Sequence, residues 1–133
     1  MIKDISHITF IVKDLDKMKL FLETIFDAKE VYSSDGKEYS LSKEKFFLIG
    51  DIWIATMEGD SLKEKTYNHI AFQVEDNEFS DYADRIRQLG VEIKPERSRV
   101  EGEGQSIYFY DYDKHLFEIH SGTLTQRLQR YNQ

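Results

Sequence analysis

The chain of 133 residues contains no cysteine. That excludes disulfides, thiolate metal sites and a cysteine nucleophile. There is one proline, and no stretch rich in Gly, Ser or Pro separates one part from another. Long apolar runs are missing too. The longest, such as FFLIG from Phe46 to Gly50, falls far short of the roughly 20 residues needed to span a bilayer as a helix. The opening MIKDISHITF carries an acid at Asp4 and has no extended apolar segment, so it does not read as a secretory signal. The expected location is cytoplasmic. Net positive charge is also lacking: the formal balance is −7. Such a field repels nucleic acid and anionic membranes, and an anionic small molecule would need a local basic cluster.

What is present is the composition of a folded domain, 40% hydrophobic and 14% aromatic. The length suits one domain or two half-size modules sharing a core. A repeat favours the second description. SHITFIVKD opens at Ser6 and NHIAFQVED at Asn68, and both copies keep a histidine in second place before an alternating Ile-Phe-Val set. Period-two alternation predicts a strand from Ile5 to Val12, with Ile8, Phe10 and Val12 on one face and His7, Thr9 and Ile11 on the other.

Asp14 is then a helix N-cap for the stripe Leu15, Met18, Leu22, Ile25. Strands are predicted over Glu30–Ser33, Glu38–Ser42 and Ile52–Met57, with SSDGK as a hairpin loop between the first two. After His69–Val74 comes a second stripe, Phe79, Tyr82, Ala83, Ile86 and Leu89, ended by Gly90. A short strand VEIK follows, then a hairpin of Ser106–Tyr110 and His115–His120 around DYDK. Leu124 and Leu128 mark a terminal helix. The expected fold class is α+β, a single domain over 1–133 built of tandem βαβββ modules. The first spans about 1–60 and the second about 66–122, with a C-terminal helix at about 123–131.

His7 and His69 occupy matched positions, and neutral imidazole is a favoured ligand of divalent metals. The plainer reading makes each a satisfied polar residue on a half-buried strand, copied by duplication. In the last strand Glu118 shares its face with Leu116 and His120, opposite Phe117 and Ile119. A carboxylate among such neighbours is costly to bury unless a cation meets it. His120 is the rival ligand, and His115, at the hairpin end, reads as structural or exposed. The position matching Glu118 in the first module falls near Thr56, in a strand without carboxylate, histidine or glutamine. Two histidines and one carboxylate leave metal positions open, as catalytic sites do. Mn²⁺, Fe²⁺, Zn²⁺ and Mg²⁺ all suit such a set.

Paired βαβββ modules with these residues resemble the vicinal oxygen chelate superfamily over essentially the whole chain. Within it, ISHITFIVKDL, FSDYADRIRQLGVEIK and SIYFYDYDKHLFEIHSGTLTQRL resemble the fosfomycin-resistance enzymes. SLSKEKFFL, MEGDSLKEKTYNHIAFQ and KPERSRVEGEGQSIYFYD are similar to the branch called FosX, which opens the drug with water. The resemblance implies a Mn(II)-dependent epoxide hydrolase acting on fosfomycin, with His7, His69 and Glu118 on the metal. It implies Glu44 as the general base, although Lys43-Glu44-Lys45 alone reads as a solvated turn. It also implies a domain-swapped homodimer, in which His7 of one chain joins His69 and Glu118 of the other.

A dianionic phosphonate asks for counter-charge, and Lys94, Arg97, Arg99 and Arg127 are the candidates. Hydroxyls of Thr9, Ser106 and Tyr108 could donate to phosphonate oxygens. The resemblance favours Thr9, Lys94, Ser106, Tyr108 and Arg127, and does not choose between Arg97 and Arg99. Trp53 and Tyr67 are candidate pocket walls, with core packing an equal explanation. The alternatives are transfer of a thiol such as glutathione or cysteine to the same drug, a glyoxalase or dioxygenase, and a drug-sequestering protein of the same fold.

Overall fold

The computed structural model describes residues 1–35, 42–95 and 104–133. The chain forms two compact units, Met1–Lys63 with Tyr112–Lys114, and Glu64–Asp111 with His115–Gln133.

The first unit contains β1 (Ile8–Val12), α1 (Leu15–Phe26), β2 (Lys29–Ser33), β3 (Glu44–Ile49) and β4 (Ile52–Glu58). Its sheet runs β1-β4-β3-β2, with β1 parallel to β4 and the other pairs antiparallel. The Asp14 side chain accepts from the backbone N–H groups of Asp16 and Lys17 and so starts α1. Buried Met18, Phe21, Leu22 and Ile25 of that helix join buried Phe10, Val12, Phe47 and Ile54 of the sheet to make this core. The helix meets β3 and β4. At the rim Glu30 holds Lys45 at 3.0 Å and Lys19 at 3.4 Å. Burial pushes the Glu30 carboxyl up, but hydrogen bonds and charge from the two lysines outweigh this and leave it below the ordinary carboxylate value.

The turn Tyr112–Lys114 belongs to this unit. Buried Asp113 accepts from the Lys13 backbone N–H and the Ser61 hydroxyl, and Tyr112 meets Phe21 edge-on.

The second unit repeats the order: β5 (His69–Gln73), a 3₁₀ turn (Asp76–Glu78), α2 (Phe79–Leu89), β6 (Ile93–Lys94), β7 (Ser106–Tyr110), β8 (Leu116–His120) and α3 (Leu124–Tyr131). Its sheet is β5-β8-β7-β6, again with one parallel pair, β5 with β8. Phe117 is fully buried between Phe72 and Phe109, with ring centroids 6.4 and 5.9 Å away. Gly90 closes α2 at φ 78°, a conformation that suits glycine. Thr123 and Gln126 cap α3 reciprocally.

Element boundaries differ from the sequence expectations at several points. The strand expected at Glu38–Ser42, and its hairpin loop, fall mostly on residues 36–41, outside the described residues. The observed strand, Glu44–Ile49, instead includes Glu44-Lys45, read earlier as a turn. Its apolar run Phe46–Ile49 is at least half-buried on both faces, so it lacks the alternation that identifies a strand with one wet face. The first strand starts at Ile8 rather than Ile5, and VEIK is reduced to Ile93–Lys94. Finally, the ladders pair Glu118 with Ala71 and Tyr108, whereas the matching first-unit position, paired with Thr9 and Phe46, is Ala55. Thr56 lies one residue on and on the opposite face. It is fully buried and its hydroxyl donates to the Lys45 carbonyl.

Candidate metal centre and substrate site

His69 is the first residue of β5, and its Nδ1 lies 2.7 Å from the Tyr67 carbonyl oxygen. A carbonyl only accepts, so Nδ1 carries the hydrogen. The neutral ring then presents a lone pair at Nε2, and Nε2 faces Glu118 Oε1 at 3.1 Å. In the neutral ring two lone pairs meet at that separation, and a proton or a metal cation between them relieves their repulsion. The donor set, one imidazole nitrogen and one carboxylate oxygen, fits a divalent metal, and the Tyr67 carbonyl fixes the tautomer such a ligand needs.

Glu118 reaches this position because β8 is central in its sheet. Phe117 and Ile119, both fully buried, turn into the core. Glu118 points to the other face, itself only 4% exposed. Its second oxygen, Oε2, accepts from the Ser106 hydroxyl at 2.6 Å. Ser106 Oγ is also 2.6 Å from His120 Nδ1, and His120 Nε2 is 3.4 Å from Arg127 Nη2. A cavity of about 280 Å³ opens here, lined by His69, Glu118, His120, Thr123 and Arg127 among others. Beside it Tyr67 donates to the Tyr108 hydroxyl at 3.3 Å, and Lys94 Nζ stands 5.4 Å over the Tyr67 ring.

The remaining candidates belong to the first unit. His7 immediately precedes β1, and its ring lies 4.2 Å from that of Trp53. Thr9 follows on the same face of β1, opposite Ala55. Glu44 opens β3 and pairs with Met57. It is only 8% exposed. Its backbone is tied to Ser34, whose hydroxyl accepts from the Glu44 N–H and whose own N–H donates to the Glu44 carbonyl. By ladder register Glu44 is the first-unit counterpart of Ser106, since Met57 and His120 are likewise counterparts.

A profile of the Glyoxalase/Bleomycin resistance protein/Dioxygenase superfamily matches residues 4–119. The chain belongs to that superfamily. Within the superfamily it is 65% identical over 132 residues to the fosfomycin resistance protein FosX of Listeria innocua, covering 99% of each chain. It is 64% identical over 133 residues to FosX of Listeria monocytogenes, covering 100% of both. Among solved structures it is similar to a point variant of the L. monocytogenes FosX complexed with Mn(II) and 1S,2S-dihydroxypropylphosphonic acid. That match has 63% identity, 98% and 99% coverage of the two chains, and a TM-score of 0.89. The α+β fold of tandem βαβββ modules is therefore that of this superfamily.

Of the candidates, the second unit gathers His69, Glu118, Ser106, Tyr108, Lys94 and Arg127, with Tyr67 beside them. His7, Thr9, Trp53 and Glu44 lie in the first. Arg97 and Arg99 lie outside the described residues. The Ser106 hydroxyl, expected as a phosphonate donor, has a single hydrogen, and here it is directed to Glu118 Oε2. His120, the rival ligand of the sequence reading, stands beside this pair, its Nδ1 3.4 Å from Glu118 Oε2. Both its nitrogens are turned to Ser106 and Arg127. His115 is half-buried and bonded through Nδ1 to Asp111 at 2.7 Å, which closes the hairpin turn. The Arg127–His120–Ser106 connection had no sequence signal. Its members share only strand parity and helix phase, which do not specify contact.

Proposed function

We propose that the chain is a Mn(II)-dependent epoxide hydrolase that converts fosfomycin to the diol and so confers resistance to it. The observation that carries this is the apposition of His69 Nε2 and Glu118 Oε1 at 3.1 Å, a nitrogen and a carboxylate oxygen that a divalent cation can share when the ring is neutral. The diol phosphonate and Mn(II) bound to a 63% identical FosX support it, because 1,2-dihydroxypropylphosphonic acid is the epoxypropylphosphonate plus one water.

His69 and Glu118 would hold the metal, with His7 of a second copy as the third ligand. The active form in this reading is a homodimer in the cytoplasm. Bound there, Mn(II) supplies Lewis acidity toward the epoxide oxygen. The protein's own groups do the rest. The Glu44 carboxylate, with no hydrogen-bond or ion-pair partner among the described residues, accepts a proton from the attacking water. The water oxygen forms a bond to an epoxide carbon as that carbon's bond to the ring oxygen breaks. The ring oxygen takes up one proton, so the balance is epoxide plus water to diol. Arg127 and Lys94 receive the phosphonate charge against the overall negative field, with Thr9, Tyr108 and one of the loop arginines, Arg97, as further contacts. Trp53 and Tyr67 wall the pocket.

The test is phosphorus NMR of fosfomycin with purified protein and Mn(II), no thiol being present. Appearance of the diol is expected. An unchanged spectrum that turns over only on adding glutathione or cysteine would replace the hydrolase by a thiol transferase, and one that never changes would leave a drug-sequestering protein.

A further inference from the structure

The hydrogen-bond path running from Arg127 to Glu118 has only one consistent direction. A guanidinium only donates, so His120 Nε2, 3.4 Å from Arg127 Nη2, must accept. The neutral His120 ring then carries its hydrogen on Nδ1 and donates it to Ser106 Oγ at 2.6 Å. Ser106 in turn donates its only hydrogen to Glu118 Oε2 at 2.6 Å. The carboxylate at the far end only accepts. Reversing either middle bond would set N–H against guanidinium or leave Ser106 and Glu118 without a hydrogen between them. The path is well buried, with side-chain exposure of 13% at His120 and 6% at Glu118.

The geometry points to His120 as a positioning residue that orients Glu118 for the metal through Ser106 and steadies Arg127 for the phosphonate. The inference rests on the functional reading above. Holding Oε2 through Ser106 keeps the carboxylate turned so that Oε1 faces His69. The His120 ring is a rigid spacer whose two nitrogens serve two different binding events. That makes the two roles separable. Asparagine places an amide N–H near the Nδ1 position, which preserves the bond to Ser106 and removes the acceptor offered to Arg127. Glutamine reaches the Nε2 position with a carbonyl, which preserves the acceptor for Arg127 and removes the donor to Ser106.

The experiment measures Mn(II) affinity from the free-ion EPR signal, and kcat and KM for fosfomycin, in wild type, His120→Asn and His120→Gln. Thermal unfolding serves as a folding control. Loss of the His120–Ser106 contact frees the hydroxyl that holds Glu118 and should weaken Mn(II) binding about tenfold, the lower end of the effect of removing a hydrogen bond to a metal-ligating group. We expect that loss in His120→Gln with KM nearly unchanged. In His120→Asn we expect Mn(II) affinity within about threefold of wild type and KM raised about tenfold, for a lost contact to a charged group. Nitrogen-15 NMR of the His120 ring should show the Nδ1–H tautomer in wild type, a readout independent of either variant's folding.

The same weakening of metal and substrate binding in both variants, or none in either, would overturn the role, as would an Nε2–H tautomer. A wild type that binds no Mn(II) overturns the functional reading and this proposal with it. A wild type that binds Mn(II) alongside variants that do not differ overturns the His120 role alone.

Discussion

Replacing Glu44 by glutamine separates chemistry from architecture, because the structure ties the backbone and the carboxylate of this residue to different things. The main chain at position 44 exchanges hydrogen bonds with Ser34 at 3.2 and 3.0 Å and pairs with Met57 across the sheet. Glutamine keeps all of these and nearly the same volume. The carboxylate has no partner among the described residues, so its removal leaves no donor stranded, and the change in stability should stay below about 1 kcal/mol. Catalysis should respond differently. A positioned general base contributes about 10²- to 10⁴-fold, which corresponds to a barrier increase of about 3–5 kcal/mol at 1.36 kcal/mol per factor of ten. Steady-state kinetics by phosphorus NMR, with Mn(II) saturating, should therefore show kcat down at least a hundredfold in Glu44→Gln. Mn(II) affinity and the unfolding midpoint should match wild type. A kcat within tenfold of wild type would remove Glu44 as the base, and lost Mn(II) binding would move it into the metal site.

His69→Ala removes one of the two facing groups, and calorimetric titration should find Mn(II) affinity down by at least a hundredfold with little activity left. Retained tight binding would place the metal elsewhere. Phe117→Ala empties the stack between Phe72 and Phe109 at a fully buried position. Urea unfolding should report a loss of about 3–5 kcal/mol, and a loss under 1 kcal/mol would contradict the core assignment. Glu30→Gln tests the pair with Lys45 and Lys19. Its carboxyl is held below the ordinary value in the folded state, so its contribution is present above the unfolded carboxyl's pKa and disappears as pH falls through the folded one. The partly exposed setting limits that contribution to about 0.5–1 kcal/mol. Denaturation of both proteins between neutral pH and pH 3 should show the stability gap closing on acidification, and a gap that widens would reverse the assignment.

The two-module plan was legible in the chain. His7 with Ile8, Phe10 and Val12, and His69 with Ile70, Phe72 and Val74, repeat a two-residue period, and local periodicity is set by the residues themselves. Asp14 and Gly90 marked helix ends for the same reason, since a cap acts within a few residues of the backbone groups it serves. The metal-site candidates were partly legible because a carboxylate between Phe117 and Ile119 conflicts with its neighbours unless something meets it.

Glu44 was not legible as part of a strand. Lys-Glu-Lys is the pattern of a solvated turn, and only the pairing of Glu44–Ile49 with β4, together with the Ser34 contacts, encloses that side chain. The hydrogen-bond partner of Ser106 could not be read either. The serine's parity matches that of Tyr108, but which acceptor takes its single hydrogen depends on where β8 places Glu118 and His120 across the ladder. Sequence determined the repeat, the strand faces and the polar residues available, because those follow from spacing along one chain. Tertiary structure alone decided which lone pair faces which hydrogen, because hydrogen bonds are settled over distances of 3 Å between residues far apart in sequence.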